Sequence, residues 1–387
     1  MAAQTQNPRF AIDGRMLDRP GTGVSTYAMA LDDALHRLGH SVERVLDPSC
    51  GGPMQRAPRA DRWLRWADAM IERPRPLKVR QSEAGQRLWS RDLFRLAQVH
   101  FDLHGTLLRL RTNGRPGVVH WTYPLPIRLD GWINIYTVHD AIPMLHPELS
   151  QIDALRHRAL LGAIAARADH LITVSDAARD DIVATLDCPP DRVSACPPGL
   201  EATEADTSPP SGLQAGRFLL AVGSVEPRKN LLRLVEAWRR SGVPHPLVVA
   251  GPDGWRADEI TPALDGVPGL IRMPYVERPV LLAMIASARA LLFPTLAEGF
   301  GLPIIEAMQA GTPVLTSCGG ATEEVAGGAA LLADPHSVED LAMAIGRLED
   351  ETLLRRLRSG GLERARHFTL DAFAARLGAL HRRLGAV

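Results

Sequence analysis

The chain has 387 residues, 45% hydrophobic and 23% charged, and its 44 basic and 44 acidic side chains give a formal net charge of zero. That length suits two domains of roughly 150–200 residues, each with a sizeable core, and the balanced charge excludes a global basic field for nucleic acid. The four cysteines, Cys50, Cys188, Cys196 and Cys318, form no C-x-x-C pair and no metal-ligand spacing, so they read as free thiols in a reducing compartment.

The opening MAAQTQNPRF lacks the basic-then-apolar pattern of a signal peptide, and no run approaches the roughly 18 apolar residues that would span a bilayer. A cytoplasmic protein is expected. A first strand is expected over 9–12, followed by Gly21, Thr22 and Gly23 and then a helix over 24–38. Between Arg56 and Arg115 stand 14 basic residues against six acidic ones, with Arg62, Trp63, Arg65 and Trp66 in one short stretch. Basic side chains interleaved with Trp suit an anionic membrane surface or a phosphorylated acceptor. A solvated helical face explains them equally well in a chain whose only lysines are Lys78 and Lys229.

Further strands are expected over 118–121, 133–138 and 170–174, and helices over 152–167 and 176–186. Residues 206–216, rich in Pro, Ser and Gly, read as a linker. A second series of short apolar runs covers 218–222, 246–250, 270–273, 290–294, 314–316 and 329–332, with helices expected at 231–240, 304–310, 351–367 and 370–384. Apolar runs alternating with helix-length patterns imply parallel sheets flanked by helices. The simplest architecture is α/β, with two doubly wound units, 1–205 and 217–369. Ligands bind beyond the carboxyl ends of such strands, so two facing sheets would enclose a cleft. No internal repeat of 20–50 residues is present.

The most informative segment runs from Glu298 through Gly299, Phe300, Gly301, Leu302, Pro303, Ile304 and Ile305 to Glu306. It places two carboxylates eight positions apart around a glycine turn that leaves a strand and opens a helix, with Pro303 in the first helical turn. Such a turn points free N–H groups and the positive end of a helix dipole at an anion. The flanking carboxylates accept hydrogen bonds from sugar hydroxyls. The combination suits a sugar nucleotide. A second loop, from Gly223 at a strand end to Arg228, Lys229 and Asn230, sets two cations before a helix for which Asn230 is the expected N-cap. Fixed positive charge and the free N–H groups of a helix start reinforce each other there. His139 and Asp140 end the strand expected at 133–138, and Ser175 and Asp176 sit where they would cap the next helix. No G-x-S-x-G elbow supports a hydrolase triad on His139.

The glutamate-framed segment resembles the E-x7-E motif of retaining glycosyltransferases of the family 4 type, which have the GT-B fold. Arg228, Lys229 and Asn230 resemble that family's R-K-N segment. The resemblance covers about residues 10–385, with its most specific motifs between 221 and 325. It implies that Arg228, Lys229 and the backbone of Gly299, Phe300, Gly301 and Leu302 hold a donor diphosphate. It places Glu298 near the sugar, Glu306 on the ribose, His139 against the donor sugar, and Gly21 and Gly23 in the glycine loop before the first helix. Gly223 lies at the donor-side strand end, and Tyr275 and Val276 follow the strand whose backbone reads the nucleobase. The glycine-rich 316–322 segment before Glu323 and Glu324 resembles a further loop beside the donor. The last helix is implied to cross back onto the N-terminal domain. Pro197, Pro198 and Gly199 depart from the family's N-x-x-P-x-G-x-D region by lacking its Asn and Asp.

The segment 141–147 is especially like members that assemble bacterial surface polysaccharides, many of them mannosyl- or rhamnosyltransferases. The implied activity is transfer of a hexose, mannose or similar, from a nucleotide-diphosphate sugar to a saccharide or lipid-linked acceptor, with retained configuration. GDP-mannose is the favoured donor; neither a cofactor nor a metal is expected, and no D-x-D motif is present. Partners are the donor and the acceptor, with an anionic membrane surface for 56–115 and a place at the membrane's inner face as an extension of the cytoplasmic expectation. A double displacement through a carboxylate is the alternative chemistry. The rival functions are a nucleotide-sugar epimerase on the same fold, which converts its substrate without an acceptor, and a non-catalytic nucleotide-sugar-binding protein. A panel of GDP-mannose, dTDP-rhamnose and UDP-hexoses separates these alternatives.

Overall fold

The structure, a computed structural model, describes residues 8–17, 21–47, 76–81, 87–201 and 208–387. Arg62, Trp63, Arg65 and Trp66 and the start of the 206–216 linker lie outside the described residues.

Eleven strands belong to the first half: β1 (Phe10–Asp13), β2 (Val42–Leu46), β3 (Leu77–Lys78), β4 (Arg80–Gln81), β5 (Arg87–Trp89), β6 (Leu108–Arg111), β7 (Val118–Trp121), β8 (Ile127–Leu129), β9 (Ile133–Thr137), β10 (His170–Thr173) and β11 (Val193–Ala195). Among the described residues eight of them form one sheet in the order β11-β10-β9-β7-β1-β2-β5-β4, parallel except at the β4–β5 edge. β3, β6 and β8 make a small three-stranded sheet. In the second half β12 (Leu219–Val222), β13 (Leu247–Ala250), β14 (Leu270–Met273), β15 (Ala290–Phe293), β16 (Val314–Ser317) and β17 (Leu331–Ala333) form a parallel sheet in the order β14-β13-β12-β15-β16-β17.

The helices are α1 (Gly23–Arg37), α2 (Leu93–His104), α3 (Ile142–Leu145), α4 (Ala154–Ala165), α5 (Asp176–Leu186), α6 (Leu231–Ser241), α7 (Ala257–Leu264), α8 (Arg278–Ser287), α9 (Leu302–Gln309), α10 (Gly320–Ala326), α11 (Val338–Arg347), α12 (Glu351–Ala365) and α13 (Leu370–Arg383). They cover both faces of both large sheets, and the strand residues show why. Leu220, Val248, Leu291 and Phe293 join one core with Ile304, Ile305 and Met308 of α9. Their neighbours Leu219, Ala221, Val249 and Leu292 join a different core with Leu234, Val235 and Trp238 of α6. Successive residues of a strand point to opposite faces, so a sheet covered on both sides needs apolar residues at nearly every position. The first sheet divides in the same way: Phe10 and Ile12 face α1, while Ala11 and Val119 face α2 and α4. The result is the expected α/β architecture of two doubly wound units facing across a cleft.

One core is common to both units, and α13 enters it through Phe373, Leu377 and Leu380. This helix packs on α1, where a Cβ on Gly378 would lie 3.2 Å from Leu38 Cδ2. On its other side His381 meets His120 of β7 at 2.9 Å between Nε2 atoms. The chain reaches α13 past Gly199, where a Cβ would fall 2.1 Å from the Thr369 carbonyl oxygen, so only glycine admits this crossing. Leu200 N–H bonds to the Phe368 carbonyl beside it at 2.8 Å. Gly199 therefore has a packing role, although the residues around it depart from the pattern noted above.

Candidate functional site

β12 ends at Gly223, whose φ of 137° lies in the region that favours glycine. A Cβ there would sit 3.0 Å from Lys229 Cε, so the missing side chain leaves a path for the lysine. Pro227–Lys229 form a single 3₁₀ turn, and α6 starts after Asn230. Asn230 does not cap α6 with its side chain, contrary to the expectation. Its backbone adopts a left-handed conformation, and its Nδ2 donates to the carbonyls of Pro294 at 3.0 Å and Pro335 at 2.7 Å. The residue pins the cation loop to β15 instead of finishing a helix.

Both cations meet Glu298. Lys229 Nζ and Arg228 Nη1 each lie 2.8 Å from Glu298 Oε2, and Arg228 Nη2 lies 2.7 Å from Glu226 Oε1. The Lys229 ammonium also sits 4.6 Å from the centroid of the Phe293 ring. Burial alone would raise the Glu298 carboxyl, but the charges and hydrogen bonds of Lys229 and Arg228 overcome it and hold the group at about 2. Burial lowers the Lys229 ammonium, with Arg228 adding to that effect and Glu298 opposing it. Desolvation also works against the Arg228 charge, yet Glu298 and Glu226 raise its pKa. Two cations are thus held in place, charged and largely out of water, by two carboxylates.

Beyond Glu298 the chain turns through Gly299, Phe300 and Gly301. Gly301 has φ of 105° and opens α9 without a side-chain cap, with Pro in the first turn. Pro303 has no N–H and the Ile304 N–H bonds to the Gly301 carbonyl at 3.0 Å, so at the start of α9 the N–H left by the helix ladder is that of Leu302. Phe300 is buried and stacks edge-on against Phe368. Glu306, inside α9, is also buried, and its Oε1 pairs with Arg278 of α8 at 2.7 Å. The structure therefore assigns the two glutamates of the motif to separate cation partners. Tyr275 and Val276 follow β14, with Tyr275 79% exposed.

The first unit closes on the same turn. A Cβ on Gly299 would lie 2.5 Å from the His139 carbonyl oxygen and 3.1 Å from Asp140 Cβ, so this glycine lets the two walls meet here. Ser175 caps α5 and donates its hydroxyl hydrogen to the Gly299 carbonyl at 2.7 Å. The Glu324 carboxylate of α10 accepts the N–H groups of Asp176 and Ala177 at the start of α5, at 2.8 and 2.7 Å. Gly21 and Gly23 flank Thr22, the N-cap of α1, and a Cβ on Gly23 would stand 3.7 Å from Leu302 Cδ1 across the cleft. A cavity of about 270 Å³ opens beside this seam, lined among others by Asp140, Asp181, Glu298, Cys318 and His336.

His139 hydrogen-bonds through Nε2 to the Thr122 carbonyl at 2.8 Å, so Nε2 carries the proton and donates. Its ring meets Tyr27 edge-on, with centroids 4.9 Å apart. Burial lowers the imidazole to about 4 against the opposing Thr122 bond, which keeps it neutral. Burial raises the Asp140 carboxyl to about 6 although Arg228 pulls it down. Among the described residues no group of three His, Cys, Asp or Glu side chains could hold a metal ion, and no helix is long and apolar enough to cross a membrane.

Sequence reasoning did not single out Glu226 or Arg278. Neither has a local signal, because each becomes visible only as the partner of a residue on another element. Glu324 was visible as part of a loop, but its bond to α5 was not.

Residues 216–351 match the model of the group 1 glycosyl transferases, and residues 21–204 match that of glycosyltransferase family 4. O-antigen chain mannosyltransferase B of Escherichia coli is 30% identical over 264 residues, which are 64% of this chain and 69% of that protein. The serotype-specific mannosyltransferase WbdA of Escherichia coli is 32% identical over 215 residues, 49% of this chain and 26% of WbdA, so the match covers about a quarter of that relative. Sucrose-phosphate synthase from Thermosynechococcus elongatus superposes with a TM-score of 0.70 at 20% identity, covering 98% of this chain and 100% of the other, which shows a shared GT-B fold.

Proposed function

Because the chain belongs to the family 4, group 1 glycosyltransferases, we propose that it moves a hexose, mannose or similar, from a nucleotide-diphosphate sugar to a saccharide or lipid-linked acceptor in the synthesis of a cell-surface polysaccharide. The observation that carries this proposal is the convergence of Arg228 and Lys229, both fixed by Glu298, beside the uncapped start of α9. Preorganised cations beside the positive end of a helix dipole, in a partly dry site, favour the charge that develops on a leaving diphosphate. The mannosyltransferase relatives support mannose as the sugar and GDP-mannose as the donor to test first.

In the reaction the bond between the anomeric carbon and the diphosphate oxygen breaks, and the carbon takes a bond from an acceptor hydroxyl on the same face. The hydroxyl proton passes to the departing diphosphate, and configuration is retained. Arg228 and Lys229 carry the growing negative charge, so transfer needs no divalent cation. Glu298 orients both cations and meets sugar hydroxyls. A carboxylate held at about 2 by two cations is a weak nucleophile, which favours same-face attack over double displacement. The neutral His139 offers a hydrogen bond to the sugar, and Glu306 binds the ribose hydroxyls when it exchanges Arg278 for the donor. Tyr275 and Val276 lie beside the nucleobase, and Gly21 and Gly23 bring the first wall up to the phosphates.

The test is incubation of GDP-mannose, dTDP-rhamnose and UDP-hexoses with the protein in EDTA. Phosphorus NMR follows nucleoside diphosphate release, and proton NMR reads the anomeric configuration of the first sugar product. Release from one donor with an α product from an α donor supports the proposal. Interconversion of the free nucleotide sugar, or no reaction with any donor, would sink it.

A further inference from the structure

The first wall of the cleft holds a cation that the donor site does not use. After Asp13 at the end of β1, Gly14 presses against β2. Its N–H bonds to the Val45 carbonyl at 2.9 Å, and a Cβ there would lie 2.4 Å from Leu46 Cδ2. The next residue is Arg15, whose guanidinium carbon sits 5.8 Å from the Phe94 ring centroid in α2 and 5.7 Å from the Tyr123 ring just past β7. Two aromatic rings within about 6 Å seat a guanidinium and leave its N–H edge free. Arg15 is only half-buried, and among the described residues no hydrogen bond or ion pair engages its guanidinium.

Arg15 is also linked to the reacting side of this wall. Asp13, fully buried, accepts the Thr122 N–H, and the Thr122 carbonyl accepts the His139 Nε2–H. β9, β7 and β1 are successive strands of the sheet, so His139, Tyr123 and Arg15 lie along one edge. The Asp13 carboxylate forms no ion pair with Arg15, and burial raises it to about 6 against the bonds from Thr122 and the charge of Arg15. The donor diphosphate already has Arg228, Lys229 and the start of α9 on the opposite wall. A guanidinium on the first wall that, among the described residues, has no ion pair matches an anion brought by the other substrate.

We propose that Arg15, seated between Phe94 and Tyr123, binds a phosphate group of the acceptor, which is therefore a phosphorylated or diphosphate-linked saccharide rather than a neutral sugar. This rests on the glycosyltransferase reading above. The planar fork of Arg suits a phosphate bidentately. A phosphate held there places the attached sugar next to His139, at the cleft.

Hexyl phosphate, mannose 1-phosphate and hexanol are the probes, titrated calorimetrically into protein already saturated with GDP or UDP. The wild type is expected to bind one or both phosphates and not hexanol. Preference for hexyl phosphate indicates a lipid-linked acceptor, and preference for mannose 1-phosphate a soluble glycosyl phosphate. Arg15→Gln is expected to weaken that binding by about tenfold or more, the scale for a charge-assisted hydrogen bond, and Arg15→Lys to fall between. Both variants are expected to keep the wild-type affinity for the nucleoside diphosphate, which shows that they fold. No phosphate binding by the wild type, or equal binding by Arg15→Gln, overturns the proposal. Displacement of either phosphate by the nucleoside diphosphate also overturns it, because Arg15 would then serve the donor. Titration of GDP and UDP alone tests the glycosyltransferase reading separately.

Discussion

The two walls of the cleft handle charge in opposite ways. On the second wall Arg228, Lys229, Glu226 and Glu298 are packed within ion-pair distance, each beside a group of opposite charge. On the first wall burial keeps His139 neutral and pushes Asp13 and Asp140 up to about 6, while Arg15 has no ion pair among the described residues. A wall of compensated full charges can take a diphosphate with little rearrangement. A wall with a neutral imidazole, buried carboxyls raised toward neutrality and, among the described residues, a guanidinium without an ion pair is suited to hydroxyls and a single anion. The difference is the basis for proposing the donor on the second wall and the acceptor on the first.

The sharpest way to break this division is Lys229→Ala, which is expected to cut turnover by about 10² or more, as removal of one transition-state stabiliser does. Steady-state transfer rates check it, and near-normal turnover would refute the diphosphate role. Glu298→Gln removes the shared counter-charge and leaves two crowded cations. It is expected to cost about 3 kcal/mol of stability in urea unfolding, part of it recovered when a nucleoside diphosphate is added. Stability equal to wild type would mean that the charge cluster is not held by compensation.

On the first wall His139→Ala should lower turnover by only about tenfold, the worth of one neutral hydrogen bond, with nucleoside diphosphate affinity unchanged. Arg278→Ala is the gentlest probe. If Arg278 merely occupies Glu306 until ribose arrives, its loss leaves nucleotide affinity equal or slightly higher, whereas Glu306→Ala weakens it. A fall of the same size in both variants would make Arg278 a nucleotide ligand.

A further contrast concerns pH. His120 and His381 meet in the seam that docks α13, where neither imidazole Nδ1 has a hydrogen-bond partner among the described residues. Burial, with His40 and Arg382 adding to it, lowers His381 from its ordinary 6.5 to about 4, and burial with His381 and His40 pushes His120 well down. Because the folded-state values are the lower ones, the unfolded chain takes up more protons between about 6.5 and 4. Stability from this pair is therefore complete above pH 6.5 and is lost as pH falls toward 4. Asp13 and Asp140, raised in the fold, oppose that trend below pH 6. The comparison of wild type with His381→Gln isolates the pair: melting temperature between pH 7.5 and 5 should fall by about 2–4 °C less in the variant. Parallel pH profiles would remove the pair from the account.

The second wall was far more legible in the sequence than the first. β12, β13, β15 and β16 are buried on both faces, so they appear as apolar runs, and the edge strand β14, only half-buried, still coincides with 270–273. Their site residues lie in short loops with close spacing, as in Gly223 to Asn230 and Glu298 to Glu306. In the first half β2 and β6 carry the exposed Arg44 and the alternating Arg109 and Arg111, which break the apolar run. α2 went unread within the basic 56–115 stretch. Arg15 carries no local sequence signal, because its setting depends on Phe94 and Tyr123, far along the chain. The same holds for Asn230, whose sequence position implies a cap while Pro294 and Pro335 hold its side chain elsewhere.

The division of labour between the walls is tested most directly by calorimetric titration of a nucleoside diphosphate into Lys229→Ala and His139→Ala side by side. The account predicts that affinity falls by about tenfold or more in Lys229→Ala, the loss expected for a charge-assisted contact, and stays at the wild-type value in His139→Ala. Equal affinities in the two variants, or the larger loss in His139→Ala, would contradict it.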